Sequence, residues 1–248
     1  MLKWWFDTVI ELLVLGCLVE VMRRPFIISG MGPVEKGDFD AVLRPNRLRL
    51  IVDHRAANVF ILTPKFRMES LHRSRHLFEK GDVMLCFDEQ AGFWSGVTCE
   101  SHRELMGVMV QGRCFVWAAN CMGTTSTPCL FQSMRWTVAK AFRRFGARLV
   151  QYLDDYVFVC HKTEAELLSK LILRVFRRLG ILLSIKKCHP EPRSVAVVLG
   201  TQVDLDRMLF SVPADKRTKI VAECDALIAA YEASSRVRVR DVARSAAG

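Results

Sequence analysis

Apolar positions recur along this chain with two periods, and the places where the period changes mark its elements. Trp5 to Met22 carries apolar residues at helical spacing and predicts a helix packed on its own domain. Gly37 to Asn46 (GDFDAVLRPN) reads as a turn-rich loop, and Arg49 to Val52 as a short strand. Val83 to Asp88 (VMLCFD) is an apolar run that ends in a carboxylate, the pattern of a buried strand delivering an acid to a cleft. Thr127-Pro128 opens a helix, since proline suits a first helical position. Leu130, Phe131, Met134, Val138 and Phe142 follow at helical spacing, and Gly146 ends the run. Leu149 to Cys160 (LVQYLDDYVFVC) sets two apolar arms around two acids, which predicts a hairpin with Asp154 and Asp155 at its tip.

Thr163 and Glu166 have capping-box spacing. The helix they would open has Leu167, Leu168, Leu171, Ile172, Val175, Phe176 and Leu179 on one face, with Lys170, Arg174, Arg177 and Arg178 mostly opposite, and stops at Gly180. Pro213 starts a last amphipathic helix to about Tyr231. Arg236 to Gly248 then alternates arginine with valine, as a truncated element would.

Composition narrows the class. The 248 residues are 51% hydrophobic, enough for one large domain or two to three subdomains. Lys and Arg number 36 against 26 Asp and Glu, a net charge of +10, which suits a polyanionic partner as well as an ordinary basic surface. Nine scattered cysteines without a C-x-x-C pair point to reduced thiols in an intracellular protein, in cytoplasm or nucleus. Cys160-His161 and Cys188-His189 lack a second ligand pair at zinc spacing. Leu12 to Val19 resembles a secretory core, but Asp7, Glu11 and Glu20 flank it and no small-residue cleavage site follows. It is also too short to span a bilayer, so neither secretion nor a membrane span is expected.

The chemistry centres on Asp88, Asp154 and Asp155. A carboxylate inside apolar strands is costly unless it is paired or bound to a cation. Alternation along a strand sends Asp154 and Asp155 to opposite faces, so one can share cations with Asp88 while the other supports the turn. Carboxylates holding two hard cations suit in-line phosphoryl transfer, with one ion at the attacking 3′-hydroxyl and one at the leaving pyrophosphate. Taken alone, Asp-Asp is more readily ordinary turn chemistry.

Tyr152-Leu153-Asp154-Asp155 resembles the Y-x-D-D signature of reverse transcriptases, and further segments resemble that family in its own order. Arg49, Asp53, Arg55 and Asn58 in RLIVDHRAAN resemble its fingers motif. Pro64 to Leu71 (PKFRMESL) resembles the following segment of retrotransposon enzymes of the LTR and especially the DIRS type. Asp88 and Phe93 in FDEQAGF resemble the first palm motif, and Gly123, Pro128 and Phe131 in CMGTTSTPCLF the glycine-containing motif. Leu179-Gly180 to Lys187 resembles the lysine-bearing motif, and Leu199-Gly200 the primer grip. The chain departs from the pattern at Cys121-Met122, at Thr124 to Pro128 (TTSTP), at His102 to Met109 and at Glu89, an extra acid beside Asp88.

The resemblance implies an α/β (α+β) right-hand polymerase fold. Its fingers would be 1-83 and 96-126, its palm 84-95 and 127-210, and 211-248 part of a thumb. It implies an RNA-directed DNA polymerase, with Asp88 and Asp154 as metal ligands and Asp155 as the neighbouring acid. Two Mg2+ ions, or Mn2+, would be the cofactors. Arg49 would contact the nucleotide triphosphate, Phe93 would gate the sugar, and Gly123 would allow close backbone approach. Lys187 would protonate pyrophosphate or stabilise its charge; Tyr152, Leu199 and Gly200 would lie along the primer. The same residues have plainer readings: a surface arginine, a core aromatic, a solvated lysine, hairpin packing. An RNA or DNA template-primer and deoxynucleotides would be the partners, with an RNase H region downstream or on another chain. Two other readings compete. One is a degenerate relic that binds nucleic acid without polymerising. The other is an RNA-templated RNA polymerase, against which Phe93 argues, because its ring leaves no space for a 2′-hydroxyl.

Overall fold

The computed structural model describes residues 2–35, 48–234, 236–240 and 242–243. In chain order its elements are α1 (Leu2–Val14), β1 (Leu18–Val21), β2 (Ile28–Glu35), β3 (Leu48–Asp53), and single turns α2 (Arg55–Asn58) and α3 (Leu71–Ser74). There follow β4 (Asp82–Asp88), β5 (Gly107–Val110), β6 (Arg113–Trp117), α4 (Thr127–Arg144), β7 (Arg148–Tyr152), β8 (Asp155–His161) and α5 (Ala165–Arg178). The chain continues through β9 (His189–Arg193), β10 (Val195–Val198), β11 (Thr201–Asp204), β12 (Leu209–Ser211) and α6 (Ala214–Ser234). The loop expected over Gly37 to Asn46 lies outside the described residues, as do the last residues of the C-terminal run.

Among the described residues the strands form three sheets. The first, ordered β1-β6-β5-β2-β3, is antiparallel except where Ile28 and Ser29 of β2 run parallel to Gly107 and Val108 of β5. The second, ordered β7-β8-β4-β9, is antiparallel throughout, and β10-β11-β12 make the third.

The second sheet explains the long apolar runs. Val83, Leu85 and Phe87 of β4 and Tyr156, Phe158 and Cys160 of β8 face one core, together with Ala139 and Phe142 of α4 and Ile172 and Phe176 of α5. The intervening Met84, Val157 and Val159 face the opposite core, shared with Val150, Val198, Val203 and Leu205. Strands buried on both faces need apolar residues at every position. Phe87, Phe142, Phe158 and Phe176 meet edge to face, with centroids 5.0–6.0 Å apart in the four edge-on pairs.

Several expectations are corrected. The first helix does not reach Met22. It ends at Val14, where Gly16 adopts φ +69 and Cys17 N–H bonds back to Leu12 O, so that Leu18–Val21 can pair with β6. The capping box does not form: the α5 cap position is Glu164 without a side-chain bond, and the Thr163 hydroxyl pairs with His161 instead. On α5 the buried line is Ala165, Ser169, Ile172 and Phe176, while Leu167, Leu171 and Leu179 are exposed. They line an apolar groove of about 580 Å³ between α4 and α5, with Phe145 at its mouth. α6 buries none of its residues and so lacks the packed face expected of it. No described helix is long and apolar enough to cross a membrane.

Candidate active site

Strand register builds the site. Asp88 closes β4 and Asp155 opens β8, and the two are direct cross-strand partners. Counting by twos places both on the face shared with Met84 and Val157, towards β10. They line one small cavity of about 160 Å³ with Lys187, Val198 and Leu199. Asp154 occupies the hairpin turn. Its carboxyl is pushed up to about 6 by burial first, then by the charges of Glu89, Asp88 and Asp155. Burial and Asp88 raise Asp155 as well. Asp154 Oδ1 is buried without a hydrogen-bond partner.

The segment after α5 locks onto Asp88. Ser184 N–H bonds to Asp88 O at 2.9 Å, and Asp88 N–H to Cys188 Sγ at 3.3 Å. That places Lys187 Nζ 2.8 Å from Asp88 Oδ2. The hydrogen bond to Asp88 raises the lysine's pKa above its ordinary value.

The hairpin tip is held from behind by residues that the sequence reading missed. Leu153 has φ +48, a conformation that a non-glycine residue rarely adopts. Leu153 N–H donates to Gln132 Oε1 at 2.8 Å, and Gln151 Nε2 donates to Leu153 O at 2.7 Å. Gln132 Nε2 bonds Gln151 Oε1, closing a ring of amides. Both glutamines are fully buried. A signal was present: Gln151 interrupts an apolar strand run, and a buried amide demands a partner.

The other expected residues come from several separate elements. Phe93 sits in the 3-10 turn Gly92–Ser95 directly after β4, its ring 4.8 Å from that of Phe131 on α4. Gly123, at φ +99, lies where a Cβ would come 2.7 Å from Val52 O at the end of β3. Asn58 pins that loop, donating to Gly123 O and accepting from Thr125 N–H, each at 3.0 Å. Arg49 is exposed on β3. Tyr152, Leu199 and Gly200 surround a second cavity of about 600 Å³, with Asp155, Ser70 and Lys216. Leu199 (φ +47) and Gly200 (φ +75) make the two-residue turn between β10 and β11. The extra acid Glu89 is not at the cavity surface. It is buried against Arg135 of α4.

Among the described residues, no three His, Cys, Asp or Glu side chains are gathered closely enough to hold a metal ion as they stand. The donor set nevertheless fits a hard divalent cation. It consists of three carboxylates, of which Asp154 and Asp155 are pushed up by burial and by the charge of Asp88; Asp154 has an unpartnered buried oxygen, and Lys187 beside them balances part of the charge.

No protein-family model matches the chain. It is 24% identical over 196 residues to the enzymatic polyprotein of figwort mosaic virus, covering 78% of this chain and 28% of that one. With the enzymatic polyprotein of cauliflower mosaic virus (strain CM-1841) it shares 23% over 182 residues, 73% of this chain and 26% of that one. The chain thus spans about a quarter of the length of these curated relatives. Among solved structures, foamy viral protease-reverse transcriptase in complex with dsDNA matches with a TM-score of 0.71 at 22% identity, over 88% of this chain and 43% of that one. The same viral enzyme in complex with an RNA/DNA hybrid matches with a TM-score of 0.69 at 21% identity, over 88% and 28%. The chain therefore has the right-hand polymerase fold of the reverse transcriptases, and its sequence relatives are the enzymatic polyproteins of plant viruses.

Proposed function

We propose that this chain is the polymerase region of an RNA-directed DNA polymerase of a retroelement, extending a primer with deoxynucleotides on an RNA or DNA template. One observation carries the reading: on this fold, β-register sets Asp88 opposite Asp155, with the partly buried carboxyl of Asp154 beside them at the tip. Asp88, Asp154 and Asp155 would hold two Mg2+ ions, or Mn2+, which when bound polarise the attacking hydroxyl and neutralise charge on the leaving pyrophosphate. The division into fingers (1-83 and 96-126), palm (84-95 and 127-210) and part of a thumb (211-248) is supported by the segregation of the strands into separate sheets.

Within that frame Arg49 grips the triphosphate, with a guanidinium that is always charged and matches phosphate in pairs. Phe93 excludes a 2′-hydroxyl, its ring backed by Phe131. Gly123 presents bare backbone to the nucleotide, held in place by Asn58. Lys187 protonates the pyrophosphate or stabilises its charge, its Nζ standing 2.8 Å from Asp88 Oδ2 at the edge of the acids. Tyr152, Leu199 and Gly200 hold the primer end around the larger cavity. RNase H activity would come from a downstream region or another chain. A chain that binds nucleic acid without polymerising is the less favoured reading, because the unusual TTSTP segment that suggests it is anchored through Thr125 N–H to Asn58.

The test is primer extension on a primed RNA template with Mg2+. Extension by the parent and its loss in Asp154→Asn and Asp88→Asn are expected. An unextended primer with the parent, while template still binds, would overturn the polymerase reading.

A further inference from the structure

Glu89 and Arg135 are an ion pair in an apolar setting, only 2% and 10% exposed in their side chains. Arg135 grips Glu89 with both Nε, at 2.7 Å from Oε2, and Nη2. The same Nη2 donates to Ser95 Oγ at 2.6 Å, and Ser95 Oγ donates to Gly92 O at 2.6 Å. The guanidinium carbon also lies 4.7 Å from the Phe131 ring centroid, and Phe131 is the ring that meets Phe93. The Ser95 end of the turn Gly92–Ser95 is therefore fastened to one side chain of α4, and the same hydroxyl closes the turn on Gly92 O. Its packing leaves no slack: a Cβ on Gly92 would stand 2.6 Å from Phe131 Cζ and 2.9 Å from Glu89 Cδ.

A buried pair of this kind contributes little net stability, because desolvation offsets the attraction. Its geometric effect is larger, since a bidentate guanidinium fixes both distance and plane. We infer that Glu89, Arg135 and Ser95 are positioning residues for the sugar gate: they set the height of Phe93 above the nucleotide and so set discrimination between deoxyribonucleotides and ribonucleotides. The inference rests on the polymerase reading and adds three residues to it, none of which touches the substrate.

Two variants release the tether by different routes. Glu89→Val with Arg135→Met removes both charges together and leaves no orphan in the core. Ser95→Ala cuts only the link to the turn, and Ser95→Thr keeps the hydroxyl. The ratio of kcat/KM for a deoxynucleotide over the matching ribonucleotide is measured with Mg2+ on one primed template. It is expected to fall about tenfold in the double variant and in Ser95→Ala, and to stay at the parent value in Ser95→Thr. Backbone hydrogen exchange is measured in parallel and is expected to speed up across residues 91–96 in the first two. A parent-like ratio in both, in chains that still extend the primer, overturns the inference. So does parent-like exchange in both, whether or not the chain polymerises. A parent that extends no primer removes the polymerase reading instead, and exchange then decides the tether by itself.

Discussion

Asp154 works against the fold when ionised, because it is buried among other acids. Its carboxyl has an ordinary pKa of 3.8 and is raised to about 6 in the folded chain. Between those values the folded state binds the proton more tightly than the unfolded state. Stability from this group is therefore full below about pH 4 and is lost as pH rises through 6. With solvent screening of a side chain that is still partly exposed, the loss amounts to about 1–2 kcal/mol. In chelator at pH 7, Asp154→Asn should raise Tm by a few degrees (roughly 2–4 °C per kcal/mol). Added Mg2+ should raise Tm of the parent more than that of the variant. Arg135 gives the opposite case: Arg135→Met alone strands Glu89 and should cost about 3–5 kcal/mol in a denaturant titration, whereas the double change with Glu89→Val should come close to neutral. The acids were legible in the sequence because carboxylates stand out in apolar strands. The partner of Glu89 was not, because nothing along the chain says that residues 46 positions apart will meet.

At the scale of elements, the strands that carry chemistry were the easiest to read. β4 and β8 are buried on both faces, so their runs are unbroken and their ends are sharp. β10 to β12 were missed because they are only three or four residues long, and each buries at most one residue, Val198 on β10 and Val203 on β11. α1 was overrun for a different reason: Leu18 and Val19 continue the apolar run, and only pairing with β6 turns them into a strand. α5 shows the limit of counting leucines, because the small Ala165 and Ser169 sit on the packed line while Leu167 and Leu171 remain outside. The parallel junction of β2 with β5 leaves no room for a side chain at Gly107. A Cβ on Gly107 would fall 2.4 Å from Ile27 O and 2.5 Å from Pro25 Cβ. Gly107→Ala should therefore lower stability by about 1–3 kcal/mol, read as a drop in Tm without change in the far-ultraviolet spectrum.

For the whole molecule, the net charge of +10 and the two cavities beside the hairpin make one prediction about association. Binding to a primed template should weaken linearly in log–log form as salt rises, with a slope of about −0.7 to −0.9 for each phosphate neutralised. A slope near zero in a fluorescence-anisotropy titration would sink the assignment of a polyanionic partner. The right-hand architecture was legible because collinear motifs sample every part of it. The exposed faces were not, because exposure depends on what each surface meets.

The ion pair between Lys187 and Asp88 has a consequence for the order of events in the life of the chain. Its partners lie 99 residues apart, and it spares the acids of β4 and β8 from facing each other uncompensated. A newly made chain can thus zip these strands together before it meets any cation, with the ammonium group standing in. A cation binding there would compete with Lys187 for Asp88 and would draw the acids closer than they now stand, so its uptake would exchange one positive charge for another.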